Sequence, residues 1–366
     1  MIELKKNLTI NNKFLEKQEL KKFCNSELKK DNISDWEISL YNFILEWIGD
    51  DNSIKVKTSG STGKPKIIKL EKEKMVGSAI MTGKFLKLKE GDKALLCLST
   101  KFIAGKMMVV RAFTLSLDLI TVEPAGNPLQ KIDSKFDFAA MIPAQVFNVF
   151  LEKDGTKKLN NIKNLIIGGG PVHQNLEQKI SLLKNKTHLT YGMTETITHI
   201  AMRKLNDANK EKSFKCLPEI KIGIDNRDCL VIKAPALFAG ELKTNDVAEI
   251  SGKNKFIITG RYDNVINSGG IKIFPEDIER KIEKLISEKF FISSLPDTKF
   301  GEKIILLIEG KAKNKTEINK LFNSLKKILK PHEVPKEIYF VDEFLFTANG
   351  KLDRRRTIKQ IEHRLR

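Results

Sequence analysis

No apolar run in the sequence reaches the roughly eighteen residues of a membrane-spanning helix, and the opening stretch "MIELKKNLTINN" holds no apolar signal core. A soluble, unexported, cytoplasmic protein without membrane insertion is the expectation. Cysteine is scarce: Cys24, Cys97, Cys216 and Cys229 are scattered and make no C-x-x-C pair, which argues against a zinc ribbon or a disulfide framework. Aromatic residues make up only 7% of the chain and do not interleave with the basic ones, as a base-stacking surface would require. Acidic residues are outnumbered, 46 against 65 Lys and Arg, for a formal charge of +19. Such a charge attracts polyanions in general. The lysines, however, are spread through mixed segments such as "LEKEKM" and "DIERKIEKLISEK", and only the tail "KLDRRRTIKQIEHRLR" is a dense basic run. No obligate nucleic-acid partner is expected, and composition leaves the oligomeric state open.

With 366 residues, 41% of them hydrophobic and 30% charged, the chain is globular and long enough for two or three cores. "DWEISLYNFILEWIGD" spaces Trp36, Leu40, Phe43, Ile44, Trp47 and Ile48 at helical intervals. Strand-like "SIKVKT", "KALLCLS", "LDLITVE", "FDFAAMI", "KNLIIGG" and "THLTYG" then alternate with helical stretches, which predicts a largely parallel sheet over residues 54 to 191 with ligands at the carboxyl ends of its strands. From about 214 the texture turns to short strands, a small β subdomain. After "GRYDNVINSGG" a separate α+β unit begins, its helix opened by Pro275. The fold class is α/β: a large N-terminal domain, residues 1–262, of parallel-sheet β/α units with a small β subdomain, then a small mobile α+β C-terminal domain, residues 263–366.

One loop is unusual. "TSGSTGKPK" packs Thr58, Ser59, Ser61 and Thr62 with Gly60, Gly63, Lys64 and Lys66 into nine positions. Glycines let backbone N–H groups turn inward, hydroxyls add donors without bulk, and lysine supplies charge, a composition suited to phosphate. The spacing is not that of the Walker loop, since two residues rather than four separate Gly60 from Gly63. A solvated turn is the competing reading.

Four stretches stand in order: "TSGSTGKPK" (58–66), "YGMTET" (191–196), "TGRYDNVINSGGIKIFPEDIE" (259–279) and "TANGKLDRR" (347–355). Together they resemble the signature motifs of the adenylate-forming superfamily, which holds acyl-CoA synthetases, peptide-synthetase adenylation domains and luciferases. The resemblance runs from about residue 54 to the end of the chain. It implies a truncated form of that fold, because only 57 residues precede the first motif. It also implies ATP, Mg²⁺ and coenzyme A as cofactor and co-substrates, and a small-molecule carboxylic acid as substrate. By resemblance the 58–64 loop holds the β and γ phosphates, Thr194 touches the α-phosphate, and Glu195 ligates Mg²⁺. Gly169, Gly170 and Pro171 of "IIGGGPV", with Tyr191, Gly192 and Met193, flank the adenosine. Asp246 meets the ribose hydroxyls beside Arg261. Lys351 bridges carboxylate and α-phosphate, Asp263 is the hinge, and Gly269 and Gly270 line the thiol channel.

The pattern departs in places. Phe102 stands where the family's "H-x-x-G" has histidine, Asn267 replaces the hinge-motif lysine, Phe346 replaces a proline, and the usual Thr-Gly-Asp is Thr-Asn-Asp. Within the superfamily the chain is most similar to the compact o-succinylbenzoate–CoA ligases of menaquinone synthesis, which implies an aromatic acid with a second carboxylate. That spectator carboxylate needs a cation inside a largely apolar pocket. "FIAGKMMVVRAF" offers Lys106 and Arg111, five apart and so roughly 140° around a helix; Lys106, nearer the helix start, is the expected partner, with Phe102 beside the acid. The alternatives are acyl or aminoacyl loading onto a carrier-protein phosphopantetheine and, from a different class, a basic nucleic-acid-binding protein.

Overall fold

The computed structural model describes residues 4–57, 67–207, 211–346 and 352–362. It divides into two compact units, one of Met1–Lys221, Ile232–Glu241 and Gly252–Lys255, the other of Ile222–Val231, Leu242–Ser251 and Phe256–Arg366.

The first unit opens with a hairpin of β1 (Leu8–Ile10) and β2 (Lys13–Leu15). Asn11 and Asn12 between them have φ of 50° and 64°, the pair of left-handed residues that a type I′ turn requires. Helices α1 (Lys17–Glu27) and α2 (Asp35–Ile48) follow. The Ser34 N–H donates to the Glu37 carboxylate at 3.0 Å to cap α2, which buries Leu40, Phe43, Ile44, Trp47 and Ile48, while Trp36 in its first turn is half-buried.

Strands β3 (Ser53–Lys57) and β4 (Ile67–Glu71) pair antiparallel with Lys57 opposite Ile67, as a two-stranded sheet of their own. The sequence reading placed 53–57 first in the parallel sheet, and this is a correction. Ile54 and Val56 are buried while Ser53 is half-buried and Lys55 exposed, the alternation of a strand with one wet face rather than the continuous apolar run of a covered parallel strand.

Next come α3 (Lys72–Leu86), β5 (Lys93–Leu96), α4 (Ile103–Leu115), β6 (Asp118–Thr121), β7 (Phe136–Met141), α5 (Pro143–Val149), α6 (Gly155–Asn160), β8 (Ile162–Ile167), α7 (Gln174–Ser181) and β9 (Lys186–Gly192). Strands β10 (His199–Lys204) and β11 (Phe214–Cys216) complete a sheet path of order β11-β10-β9-β8-β7-β5-β6-β1-β2. From β9 to β1 every described pairing is parallel. Leu95, Ala139, Met141, Leu165 and Ile167 of the sheet join Val146, Val149, Leu176 and Ile180 of α5 and α7 in one core. Helix α4 is buried nearly all round, from Gly105 to Phe113, as expected of a helix apolar on every face.

The second unit contains most of a meander, β12 (Lys221–Ile224), β13 (Cys229–Lys233), β14 (Leu242–Gly252) and β15 (Lys255–Arg261), hydrogen-bonded in that order. Beyond it lie β16 (Ile266–Ser268), β17 (Ile271–Ile273), α8 (Pro275–Ile282), β18 (Phe290–Asp297), β19 (Gly301–Glu309), α9 (Lys315–Ile328), β20 (Glu337–Val341) and α10 (Arg354–Glu362). Along β19, Ile304, Leu306 and Ile308 face a core with α8 and α9, while Ile305 and Leu307 face a second core with Phe344 and Ile361, so this sheet is covered on both sides. Part of the basic tail is structural: Arg354 donates to both Glu279 oxygens at 2.7 and 2.8 Å. Among the described residues no helix is long and apolar enough to cross a membrane.

Two outcomes follow for stability. A Cβ on Gly105 would lie 2.3 Å from the Ser99 carbonyl oxygen and 2.7 Å from that of Leu98, where backbone must yield. Gly105→Ala should therefore destabilise by about 1–3 kcal/mol in chemical denaturation, whereas Gly223→Ala, whose Cβ meets nothing within 4 Å, should have little effect. His188 on β9 meets Phe85 edge to face at 5.9 Å, and burial, then Lys204 and Lys186, push its pKa from 6.5 down to about 4. The unfolded chain binds this proton first, so the stability present above pH 6.5 is lost as pH falls toward 4. His188→Leu should flatten that fall in melting temperature; an unchanged slope would exclude His188 as its source.

Candidate active site

The carboxyl ends of adjacent parallel strands β8 and β9 bring two of the expected segments side by side. Residues 168–171 leave β8 as a largely exposed loop in which Gly169 has φ of 85°, with Gly170 half-buried and Pro171 exposed. Tyr191 and Gly192 end β9; the Tyr191 ring stands 5.8 Å from that of Phe214. Met193 leads into a single 3-10 turn, Thr194–Thr196.

That turn is held from beneath by Thr196, whose side chain is fully buried. Its hydroxyl accepts from the Met193 N–H at 2.9 Å and lies within donating distance of the Met193 carbonyl, 2.9 Å, and the Thr198 carbonyl, 2.7 Å. Ile197 then adopts φ 66° and ψ −56°, while the Thr198 N–H donates across it to the Thr196 carbonyl at 2.7 Å. This is a γ-turn of the rare kind, centred on a β-branched residue, and it stores roughly 1–3 kcal/mol of backbone strain. Its effect is local and useful. The chain reverses sharply enough to present Thr194 half-buried and Glu195 exposed, while Thr198 stays half-buried and His199 drops back into the interior. Among the described residues the Glu195 carboxylate has no hydrogen-bond or ion-pair partner, which suits a carboxylate waiting for a hard cation held also by phosphate oxygens and water. No cluster of three or more His, Cys, Asp or Glu able to hold a metal occurs among the described residues.

The second feature lies on α4. Arg111 is 2% exposed, and burial alone pushes its pKa down to about 9. No carboxylate pairs with it among the described residues. Its Nη2 donates to Thr198 Oγ1 at 3.3 Å, Nη1 reaches the Met108 sulfur at 3.8 Å, the guanidinium stands 5.9 Å from the Phe138 ring centre, and Nε has no partner among the described residues. Lys106 differs. Its ammonium lies 3.6 Å from a Glu46 carboxylate oxygen and 4.1 Å from the centre of the Phe43 ring. Burial lowers its pKa and Glu46 partly restores it. Phe102, at the N-cap of α4, is 62% exposed.

In the second unit Arg261 donates to Asp246 at 2.7 Å and to Asp263 at 3.3 Å. Burial would lower the pKa of the Arg261 guanidinium, but Asp246 and Asp263 together outweigh it and raise the pKa. Asn245, the residue that departs from the family's Thr-Gly-Asp, donates to both oxygens of Asp263 at 3.2 and 3.3 Å and accepts from Arg227 at 3.0 Å. The departure thus adds a contact to the expected hinge residue. Gly269 and Gly270, φ 59° and 81°, form the two-residue turn joining β16 to β17, a conformation that by itself calls for glycine. Asn267 lies on β16, where its N–H donates to Glu302 at 2.7 Å.

Thr58, Ser59, Gly60, Ser61, Thr62, Gly63 and Lys64, and likewise Lys351, lie outside the described residues. Phe346 and Leu352, on either side of 347–351, are bridged in antiparallel fashion, and Arg354 anchors the following helix on Glu279. Sequence reasoning set Arg111 behind Lys106 and missed Thr196, Thr198, His199, Asn245 and Arg227. The available signals were the continuation of "YGMTET" into "ITHI", with two more polar side chains next to a motif, and the Thr-Asn-Asp departure at Asn245.

The family of AMP-binding enzymes matches residues 48–231. A 2-succinylbenzoate–CoA ligase of Listeria monocytogenes is 24% identical over 322 residues, which cover 81% of this chain and 68% of the relative. Among solved structures, an acyl-CoA synthetase (AMP-forming)/AMP-acid ligase II-like protein of Dyadobacter fermentans is 36% identical with a TM-score of 0.63, covering 93% of this chain and 98% of that one. An o-succinylbenzoate CoA synthetase of Bacillus subtilis, in complex with its acyl-adenylate intermediate, shares the fold at a TM-score of 0.75 and 16% identity, over 96% and 95% of the two chains. With the family match spanning half of its length, the chain belongs to the AMP-binding enzymes, the adenylate-forming superfamily that its motifs resemble.

Proposed function

We propose that this acyl-CoA ligase activates an aromatic dicarboxylic acid, o-succinylbenzoate first among them, and passes the acyl group to coenzyme A. In the first half-reaction a carboxylate oxygen attacks the α-phosphorus of ATP and pyrophosphate leaves; in the second the thiol displaces AMP from the acyl-adenylate. Bringing a carboxylate to a triphosphate costs Coulomb energy, which fixed cations and donors must offset. Thr194 and Glu195 fit that need at the turn, Glu195 as the single protein carboxylate on Mg²⁺, which neutralises phosphate charge when bound. The 58–64 loop and Lys351 take the phosphate and bridging roles. Residues 1–262 and 263–366 act as separate domains, with rotation about Asp263 exchanging Lys351 for the Gly269–Gly270 turn between half-reactions.

The single observation that carries the choice of acid is the guanidinium of Arg111. An interior cation without a carboxylate is costly, and an anion brought by the substrate relieves it. A dicarboxylate keeps one carboxylate while the other reacts. Lys106, already beside Glu46, has less need of a partner, so the proposal moves the expected role from Lys106 to Arg111. The ligase named for Listeria monocytogenes is consistent with the same acid.

Pyrophosphate release, measured with o-succinylbenzoate, benzoate and a medium-chain fatty acid, with and without coenzyme A, tests the reading. Arg111→Met should raise the KM for o-succinylbenzoate by about 10²-fold or more, as expected for one partner of a buried ion pair, with little change in the KM for ATP. Equal turnover of all three acids by the wild type would leave the dicarboxylate reading without support. Lys351→Ala should lose adenylation by about 10²- to 10³-fold yet retain far more thioester formation from supplied acyl-adenylate; equal loss in both would remove the two-step division of labour.

A further inference from the structure

Arg111 is not aimed by packing alone. Three side chains behind it form a hydrogen-bonded chain whose direction can be read from donor counts. At the far end Thr82, in α3, lies 3.1 Å from the Ser78 carbonyl one turn earlier, and that carbonyl can only accept. The single hydroxyl proton of Thr82 is committed there. Thr82 Oγ1, 3.1 Å from His199 Nε2, must then accept from it. His199 is fully buried, and burial together with Arg111 drives its pKa well below 6.5, so the imidazole is neutral and has one N–H to give. With that N–H on Nε2, Nδ1 is an acceptor. It takes the hydroxyl proton of Thr198, 3.3 Å away. The oxygen of Thr198 is left with lone pairs alone for Arg111 Nη2–H, at 3.3 Å. The strained turn at Ile197 is what carries Thr198 and His199 into this position.

We propose that His199 is a positioning residue for substrate selection. By fixing its own tautomer through Thr82 it makes Thr198 an obligate acceptor toward Arg111, ties down one edge of the guanidinium, and leaves the unpartnered Nε–H for the spectator carboxylate. A protonated or flipped imidazole would instead donate from Nδ1 and compete with Arg111 for the lone pairs of Thr198. The proposal rests on Arg111 as the carboxylate's partner and adds a residue that never touches substrate.

The quantity to measure is the ratio of kcat/KM for o-succinylbenzoate to that for each of its two monocarboxylate analogues, 4-oxo-4-phenylbutanoate and 2-butanoylbenzoate. The analogue that turns over in the wild type sets the scale. His199→Phe keeps the ring volume without nitrogen and should lower the ratio about ten-fold, the worth of one hydrogen bond to a charged group. His199→Asn, whose amide oxygen can stand in for Nδ1, should restore it to within about three-fold of wild type although it packs less well. Nitrogen-15 spectra of histidine-labelled protein at pH 7 should show the Nε2–H tautomer for His199. An unchanged ratio in His199→Phe, a better ratio in Phe than in Asn, or an Nδ1–H tautomer would each overturn the proposal. Arg111→Met separates the two levels: if it keeps the ratio, the carboxylate reading itself fails, whereas loss in Arg111→Met with an unchanged ratio in His199→Phe removes only the positioning role.

Discussion

A buried positive charge with no carboxylate beside it among the described residues is the constraint on which the proposed chemistry of the first unit depends. Arg111 sits on a helix that is apolar nearly all round, and its guanidinium rests on one threonine hydroxyl, one thioether and an aromatic face. Such an arrangement costs stability in the empty protein, because desolvation of the charge is not offset by a paired anion. A molecule that supplies the anion gains the difference as binding energy. The same reasoning separates Arg111 from Lys106, whose neighbour Glu46 already offsets part of its burial.

The turn after β9 solves a second physical problem. It leaves Thr194 half-buried and Glu195 exposed, the residues proposed for phosphate and metal, and returns the chain into the following strand at once. Regular turns with favourable dihedrals do not reverse so abruptly with an isoleucine at the centre. The buried Thr196 hydroxyl, in contact with three backbone groups, pins the strained conformation. Because Thr198 and His199 are the first residues after that reversal, the geometry that exposes Glu195 also builds the support for Arg111.

Much of this was legible in the sequence, for physical reasons. Continuous apolar strands separated by periodic helices gave the parallel sheet, and four ordered motifs pointed to the family. The strand 53–57 was misplaced because a five-residue β pattern does not say which strand it pairs with. The Asn11–Asn12 turn carried a readable signal for a hairpin that was passed over. The tail read only as a dense basic run, and its pairing with Glu279, far away in sequence, through Arg354 could not be seen there. Choosing Lys106 over Arg111 rested on position along the helix. The proposal for Arg111 rests instead on Glu46, 60 residues before Lys106, and Thr198, 87 residues after Arg111, neither of which helical periodicity can locate. Asn245 read as a loss of the family's glycine, and only its contacts with Asp263 and Arg227 gave it a purpose.

If Arg111 is held at a cost that the substrate offsets, its removal should have opposite effects on the empty and the loaded enzyme. The direct measurement is the thermal midpoint of wild type and Arg111→Met, each without ligand and with saturating o-succinylbenzoate. The variant should melt higher than wild type when empty, and the acid should raise the wild-type midpoint much more than the variant's. A variant that melts lower when empty and gains as much from the acid would show Arg111 to be an ordinary structural residue, and the dicarboxylate assignment would lose its basis.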